Sequence, residues 1–314
     1  MLPSRVALRW PLGQPPSPED IFSSAPNNIF TNDLQNQHGD DPYTIVVYKN
    51  QVHGELEFRT ADVNGEERGK FAHCLWNAGI LMAELVGGRE TEGKGMSVDR
   101  GNGVYISGEE ANWGIENWWV SKEEEHLWSV RGETVLELGA GVGLAGIMSV
   151  LSGAEKVAIT DYPIPAILDA IQGNVCKNIE ASLWPLVSIG GHKWGCLDTP
   201  FAKDNAHGYT RILAADCLWV TNEHKDLVRS MLHFLSPSPD ARIFCIAGFH
   251  TGRTKVAMFF EEVVPESGLE IEELLEMDVD GKRREWRRER DGGTEHIGER
   301  NKWLVVARLK QSTR

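Results

Sequence analysis

One feature constrains this chain more than any other: a run of glycines set into an apolar stretch, VLELGAGVGLAG at residues 135–146. TVLELGA reads as an apolar strand, and GLAGIMSVLSG at 143–153 as a helix closed by Gly153. Glycine lets the backbone turn tightly and lets a ligand approach the main chain closely. In open α/β sheets, ligands bind just past the carboxyl ends of the strands, where this loop falls. Asp161 ends the next expected strand, KVAITDYP at 156–163, where a carboxylate can hold both hydroxyls of a ribose.

The pattern around the loop sets the fold class. A helix is expected from about Ile164 to Asn178, then strands at 186–194 and 211–219, a helix at 224–236, a strand at 242–250 and a helix at 254–268. Such alternation implies a doubly wound, Rossmann-like α/β domain with a mostly parallel sheet. GLEIEELLEMD at 268–278 and KWLVVARLK at 302–310 have no helix between them, which implies an antiparallel hairpin and brings the sheet to seven strands. Upstream, residues 44–50 and 55–62 read as short strands and 75–86 as a helix ended by Gly87-Gly88. The domain is thus expected over 43–312, with a hairpin/helix extension at 43–86, a Gly-rich insertion at 87–117 and a flexible arm at 1–42. ANWGIENWWVSKEEEHLW at 111–128 holds four Trp, which read first as core, with a binding surface as the sharper option.

Charge and cysteine usage bound the partners. A net charge of −14 argues against nucleic acid, which needs a basic footprint, and suits a basic macromolecular partner. No apolar run is long enough for a transmembrane helix. Arg5 and Arg9 are followed by Pro11 and not by an apolar core, so the start does not read as a signal peptide. Cys74, Cys176, Cys196, Cys217 and Cys245 are scattered and read as buried free thiols in a reducing compartment. A monomer in the cytoplasm is the expectation.

The loop also satisfies G-x-G-x-x-G through Gly141, Gly143 and Gly146, the dinucleotide-binding pattern. Glu137, two residues before Gly139, weighs against it: a carboxylate at the mouth of the site would repel a pyrophosphate. It would suit a ligand bearing an ammonium and a sulfonium, as S-adenosylmethionine does. No His/Cys/carboxylate set has metal-ligand spacing. His73, His192, His224 and His250 fall near element ends and read as structural or surface residues.

ELGAGVGLAG, then ITDYP, then ADCLW resemble the seven-strand class of S-adenosylmethionine-dependent methyltransferases. Within it the chain resembles the protein lysine methyltransferase group. It is similar there to the fungal dual N-terminal and lysine methyltransferases of translation elongation factor 1-alpha, whose relatives were once named nicotinamide N-methyltransferase-like. LWNAGI, DCLWVTNEH, LSPSPDARIFCIAGFHTG and KWLVVARLK carry that closer likeness, over roughly residues 43–312.

The resemblance implies a cofactor, S-adenosylmethionine, and a role for each matching position. Trp76 should lie against its methionine end, with Gly139, Ala140 and Gly141 supplying pocket backbone beside Glu137. Asp161 should bind the ribose, Trp194 cover the adenine, and Ala215 contact the cofactor through its main chain. Asp216 and Trp219 occupy the D-x-x-W place beside the reacting amine and are the catalytic candidates. The implied substrate is a protein amine of elongation factor 1-alpha. A nicotinamide-like small acceptor and a non-catalytic binding module are the alternatives. The insertion at 87–117 departs from the pattern, as does the basic run DGKRREWRRERDGG at 280–293, which reads as a solvated hairpin tip.

Overall fold

The computed structural model describes residues 2–9, 37–39, 43–63, 74–89 and 118–312. Most of the arm at 1–42, nearly all of the insertion at 87–117, Trp113 and His73 lie outside those residues.

The N-terminal part makes two small sheets. β1 (Val6–Arg9), β3 (Ile45–Asn50) and β4 (Gly54–Arg59) form an antiparallel trio. β2 (Gln37–His38) pairs with β5 (Leu75–Trp76), which runs straight into helix α1 (Asn77–Gly87). At the centre β6 (Thr134–Leu138), β7 (Lys156–Asp161), β8 (Val187–Gly191), β9 (Arg211–Ala215) and β10 (Arg242–Gly248) run parallel. Helices α2 (Leu144–Leu151), α3 (Pro165–Asn178), α4 (His224–Phe234) and α5 (Arg253–Met258) lie between or after them.

The sheet is covered on both faces. Val135, Val157, Phe244 and Ile246 join the core that includes α1, α2 and α3. Their neighbours Leu136, Ala158, Cys245 and Ala247 join the core that includes α4 and α5. A strand buried on both sides has no polar face to show, which is why these segments read as continuous apolar runs. The chain winds outward through β6, β7 and β8, then crosses back to β9 on the other side of β6. That reversal opens a crevice at the carboxyl ends of β6 and β9. Among the described residues no helix is long and apolar enough to cross a membrane.

The C-terminal hairpin is present: β13 (Trp303–Gln311) lies antiparallel between β10 and β11 (Leu269–Asp278). An eighth strand, β12 (Arg283–Glu285), pairs outside β11. It comes from the basic run, so the solvated-tip expectation is corrected. Glu276 on β11 is fully buried and pairs with Arg253 (2.7 Å), Arg284 (2.7 Å) and Arg290 (3.1 Å). The Arg284 guanidinium also lies 3.6 Å from the Trp303 ring centroid. The arginines are drawn inward because an unpaired carboxylate could not stay charged in that core; Lys282, Arg287 and Arg288 remain exposed.

Residues 2–9, read as part of an irregular arm, are also structured. Leu2 is fully buried and its N–H donates to the Val279 carbonyl at 2.8 Å. Arg5 reaches the buried carboxylate of Glu84 on α1 at 3.1 Å. Glu84 also accepts from the Tyr48 hydroxyl and from Trp119 Nε1. The segment is short and has no periodicity of its own, so only its tertiary partners reveal its order. Deleting residues 1–9 should therefore lower the melting temperature by about 5 °C, on a loss of about 2 kcal/mol from the counter-ion of a buried carboxylate. A thermal melt that superimposes on the full chain would refute this.

Trp119 and Trp128 are core residues, as the first reading of the Trp-rich segment expected; Trp128 packs on Phe244 with ring centroids 4.7 Å apart. Of the cysteines, Cys74, Cys217 and Cys245 are buried, whereas Cys176 is exposed and Cys196 half-buried.

Candidate active site

The crevice at the strand ends is a cavity of about 600 Å³. Trp76, Glu137, Gly139, Ala140, Gly141, Asp161, Trp194, Ala215, Asp216 and Trp219 all line it. These ten come from five separate stretches of chain: the doubly wound topology gathers four of them, and β5 brings Trp76 to the same crevice.

The glycine loop makes the floor. Gly139 has φ +65°, and a Cβ there would stand 2.9 Å from Cys217 Sγ and 3.1 Å from the Trp194 ring. A side chain at this position would close the crevice between β6 and β9. Gly146 serves a different end, since a Cβ on it would meet Ile159 at 2.6 Å and Glu137 Oε2 at 2.7 Å. The last glycine of the G-x-G-x-x-G pattern thus seats α2 on the sheet, and needs no ligand to explain it.

Two carboxyls lie beneath the loop. Asp161 accepts from Gly141 N at 2.7 Å and from Tyr162 N at 2.6 Å. Burial pushes its pKa up to about 6, against those two hydrogen bonds. Glu137 is 3% exposed, and its Oε2 accepts from Gly146 N at 2.8 Å. Burial first, and then the Asp161 charge, raise its pKa to about 8. Glu137 therefore does not hold a charge at the mouth of the site, as its position before Gly139 led one to expect: it lines the cavity while its carboxyl holds the first turn of α2. What separates this sheet from the dinucleotide-binding order 3-2-1-4-5-6 is β13, inserted antiparallel beyond β10.

Both carboxyls have folded pKa values above their ordinary ones. Their contribution to stability is complete below about pH 4 and is lost as pH rises through about 6 for Asp161 and about 8 for Glu137. The cofactor-free protein should melt lower at pH 8 than at pH 5. Glu137→Gln keeps an acceptor for Gly146 N and removes the ionisation, so it should narrow that gap by several degrees. Equal pH dependence in the two proteins would count against a buried, proton-holding Glu137.

On the far side of the crevice Asp216 follows β9 with φ +57°, a conformation that Asp tolerates better than most residues. Its N–H donates to the Ile246 carbonyl at 2.7 Å, and its Oδ1 accepts from Gly248 N at 3.0 Å. These two bonds tie the end of β9 to the end of β10. His224 Nε2 donates to the Leu218 carbonyl at 2.9 Å and so holds the turn that carries Trp219. Trp76 sits at the N-cap of α1 with its ring stacked on His250, centroids 5.0 Å apart and planes at 23°.

His192 and His224 have the structural roles expected of them. His192 is 2% exposed and bonded to Ser230 Oγ at 2.9 Å, and burial holds its pKa down at about 4. His192 lines the cavity too, with its Nε2 tied to Ser230; His250 does not fit the structural reading, because it lines the cavity with its Nδ1 4.0 Å from Asp216 Oδ1, and Thr251, Cys217 and Gln37 line it as well. The signal for His250 and Thr251 was their place directly after β10, at the carboxyl edge of the sheet. Gln37 had none, since it reaches the cavity only by pairing with Trp76 across β2 and β5.

The sequence profile of a family described as lysine methyltransferase matches residues 55–264. Protein N-terminal and lysine N-methyltransferase efm7 of Schizosaccharomyces pombe is 31% identical over 212 residues, covering 66% of this chain and 68% of that one. Its namesake in Gibberella zeae is 30% identical over 170 residues, covering 50% of this chain and 64% of that one. A solved S-adenosylmethionine-dependent methyltransferase from Aquifex aeolicus overlays with a TM-score of 0.40 at 13% identity, covering 57% of this chain and 82% of that one. The chain belongs to the lysine methyltransferase family and is a methyltransferase that takes its methyl group from S-adenosylmethionine. A cavity of about 600 Å³ whose floor is kept open by the missing Cβ of Gly139 fits such a nucleoside cofactor.

Proposed function

We propose that this enzyme methylates a protein amine, the N-terminal α-amine and/or a nearby lysine of elongation factor 1-alpha. The observation that carries the reading is Asp216: a carboxylate on a residue of positive φ, its side chain 8% exposed, in the wall of the cofactor's own cavity. The names of the two fungal relatives support the amine class, and the sequence likeness over LWNAGI and DCLWVTNEH supports the elongation factor. A chain of net charge −14 suits a basic partner. The proposed setting is a cytoplasmic monomer, with the methyltransferase domain spanning 43–312.

In this reading Trp76 lies against the methionine end of the cofactor and Trp194 covers the adenine. Gly139, Ala140, Gly141 and Ala215 present backbone, and Glu137 braces the loop. The carboxylate of Asp161 still has lone pairs beyond those that meet Gly141 N and Tyr162 N, and these receive the ribose hydroxyls. Bound S-adenosylmethionine supplies an electrophilic methyl on a sulfonium. The chain must then hold a neutral amine nitrogen about 3–3.5 Å from that methyl, in line with the bond that breaks. An α-amine is neutral about once in six to ten molecules at pH 7, and a lysine only about once in 2,500. Asp216 orients the amine, and Trp219 offers a π face to the methylated cation.

The test offers purified elongation factor 1-alpha and nicotinamide to one enzyme preparation with labelled S-adenosylmethionine, read by mass spectrometry. Label on a protein amine is expected. Rapid turnover of nicotinamide with no protein label would overturn the assignment. Asp161→Ala should in the same preparation weaken S-adenosylhomocysteine binding by about 1.5–3 kcal/mol, the scale of hydrogen bonds to a charged group. Unchanged affinity in calorimetry would remove Asp161 from the cofactor site.

A further inference from the structure

The geometry points to His250 as the proton acceptor for the substrate amine, held beside Asp216 so that the two together neutralise an incoming ammonium group. The inference rests on the protein-amine reading above.

His250 Nδ1 is buried and has no hydrogen-bond partner among the described residues, and Thr251 Oγ1 beside it is in the same state. Buried polar atoms are nearly always paired, so two adjacent orphans on a cavity wall mark the place of a ligand. Nδ1 lies 4.0 Å from Asp216 Oδ1. That is too long for a hydrogen bond, but one nitrogen about 2.9 Å from each atom closes a triangle on that base. The spacing is built in. Asp216 Oδ1 is fixed by Gly248 N at 3.0 Å, and a Cβ on Gly248 would stand 2.9 Å from His250 Nδ1. The ring plane is set by the stack on Trp76, whose π face also favours a positive imidazolium. The carboxyl groups lining the cavity are Glu137, Asp161, Asp216 and Glu223, and Asp216 is the one within ion-pair distance of the ring.

The step balances as follows. An R–NH₃⁺ group gives one proton to Nδ1 of the neutral ring, which carries its own proton on Nε2. Asp216 offsets the imidazolium charge. The freed lone pair forms the N–CH₃ bond while the electron pair of the broken S–CH₃ bond stays on sulfur. The product leaves as R–NH₂CH₃⁺, and the imidazolium returns its proton to solvent.

His250→Gln and His250→Ala, in the full chain, test this from pH 6 to 9.5 against the elongation factor. In both, kcat/KM should fall about 10²-fold at pH 7, the scale of general base catalysis, and the deficit should shrink as pH approaches the pKa of the amine. Free imidazole should restore part of the His250→Ala rate, while melting temperature and S-adenosylhomocysteine affinity stay near wild type. In the cofactor-free enzyme, n-butylammonium, a lysine-chain mimic, should change the protonation of a ¹⁵N-labelled His250 ring. A loss equal at every pH with no imidazole rescue, or a profile that superimposes on wild type, would overturn the proton-acceptor role alone. Failure of the wild type to label any amine would instead overturn the amine reading, and this inference with it.

Discussion

Asp216→Asn is expected to lower kcat/KM for a protein amine by about 10²-fold and to leave S-adenosylhomocysteine binding within about twofold. Asn is the informative change because it isolates charge. It tolerates the positive φ of +57°, and its side-chain oxygen can still accept from Gly248 N. The ends of β9 and β10 therefore stay tied while the carboxylate is gone. Asp216→Ala removes the tie as well and puts a less tolerant residue at that φ, so it should also lower the melting temperature. A lysine acceptor should suffer more from the Asn variant than an α-amine, whose neutral fraction at pH 7 is already substantial. Kinetics on matched peptides, one with a free N-terminus and one acetylated with a single lysine, would measure the difference. Wild-type rates on both would remove Asp216 from the reaction.

The largest effect on stability is expected at Glu276. Glu276→Ala leaves Arg253, Arg284 and Arg290 without the carboxylate that all three address. Removing one partner of a buried ion pair costs about 3–5 kcal/mol, because the remaining charge is stranded. For a chain of this size that corresponds to a melting temperature lower by about 10 °C. Glu295 keeps contact with Arg253 and Arg284 and so limits the loss. Replacing Glu276 and Arg253 together by Leu and Met should recover part of it, since the most deeply buried of the three guanidiniums is then gone. A single variant that melts with the wild type would show the cluster to be solvated and energetically idle.

How much of this was legible in the sequence depends on the range over which each feature is set. β6, β7, β9 and β10 are buried on both faces, so their local composition alone marks them as strands. The loop from Gly139 to Gly146 and Asp161 could be placed because each follows directly from a strand end. Glu137 was found but misjudged: position relative to Gly139 says nothing of which way a side chain turns, and it turns beneath α2. β12 was missed because six basic residues look solvated unless the buried Glu276, several residues earlier on another strand, is already known. Residues 2–9 were missed for the same reason, their order depending on Glu84, Tyr48 and Val279. His250 stood in plain view after β10, but its meaning lies in the 4.0 Å to Asp216, a distance across two strands.

The clamp on Arg253 has a consequence for anyone who would retune this enzyme. Arg253 lies three residues after His250, and Glu276 and Glu295 grip it from the hairpin edge of the sheet. The cavity wall at 250–251 is thus anchored by residues that do not line the cavity. Acceptor range is usually sought by enlarging a pocket from within, which here would strike Trp76, Asp216 or His250. Glu295, at the outer end of the clamp, offers a lever on the same wall from outside: loosening it should broaden the range of amines accepted before it abolishes turnover. A directed-evolution library confined to residues 283–299 would thus be expected to yield changes in substrate scope from positions remote from the methyl group.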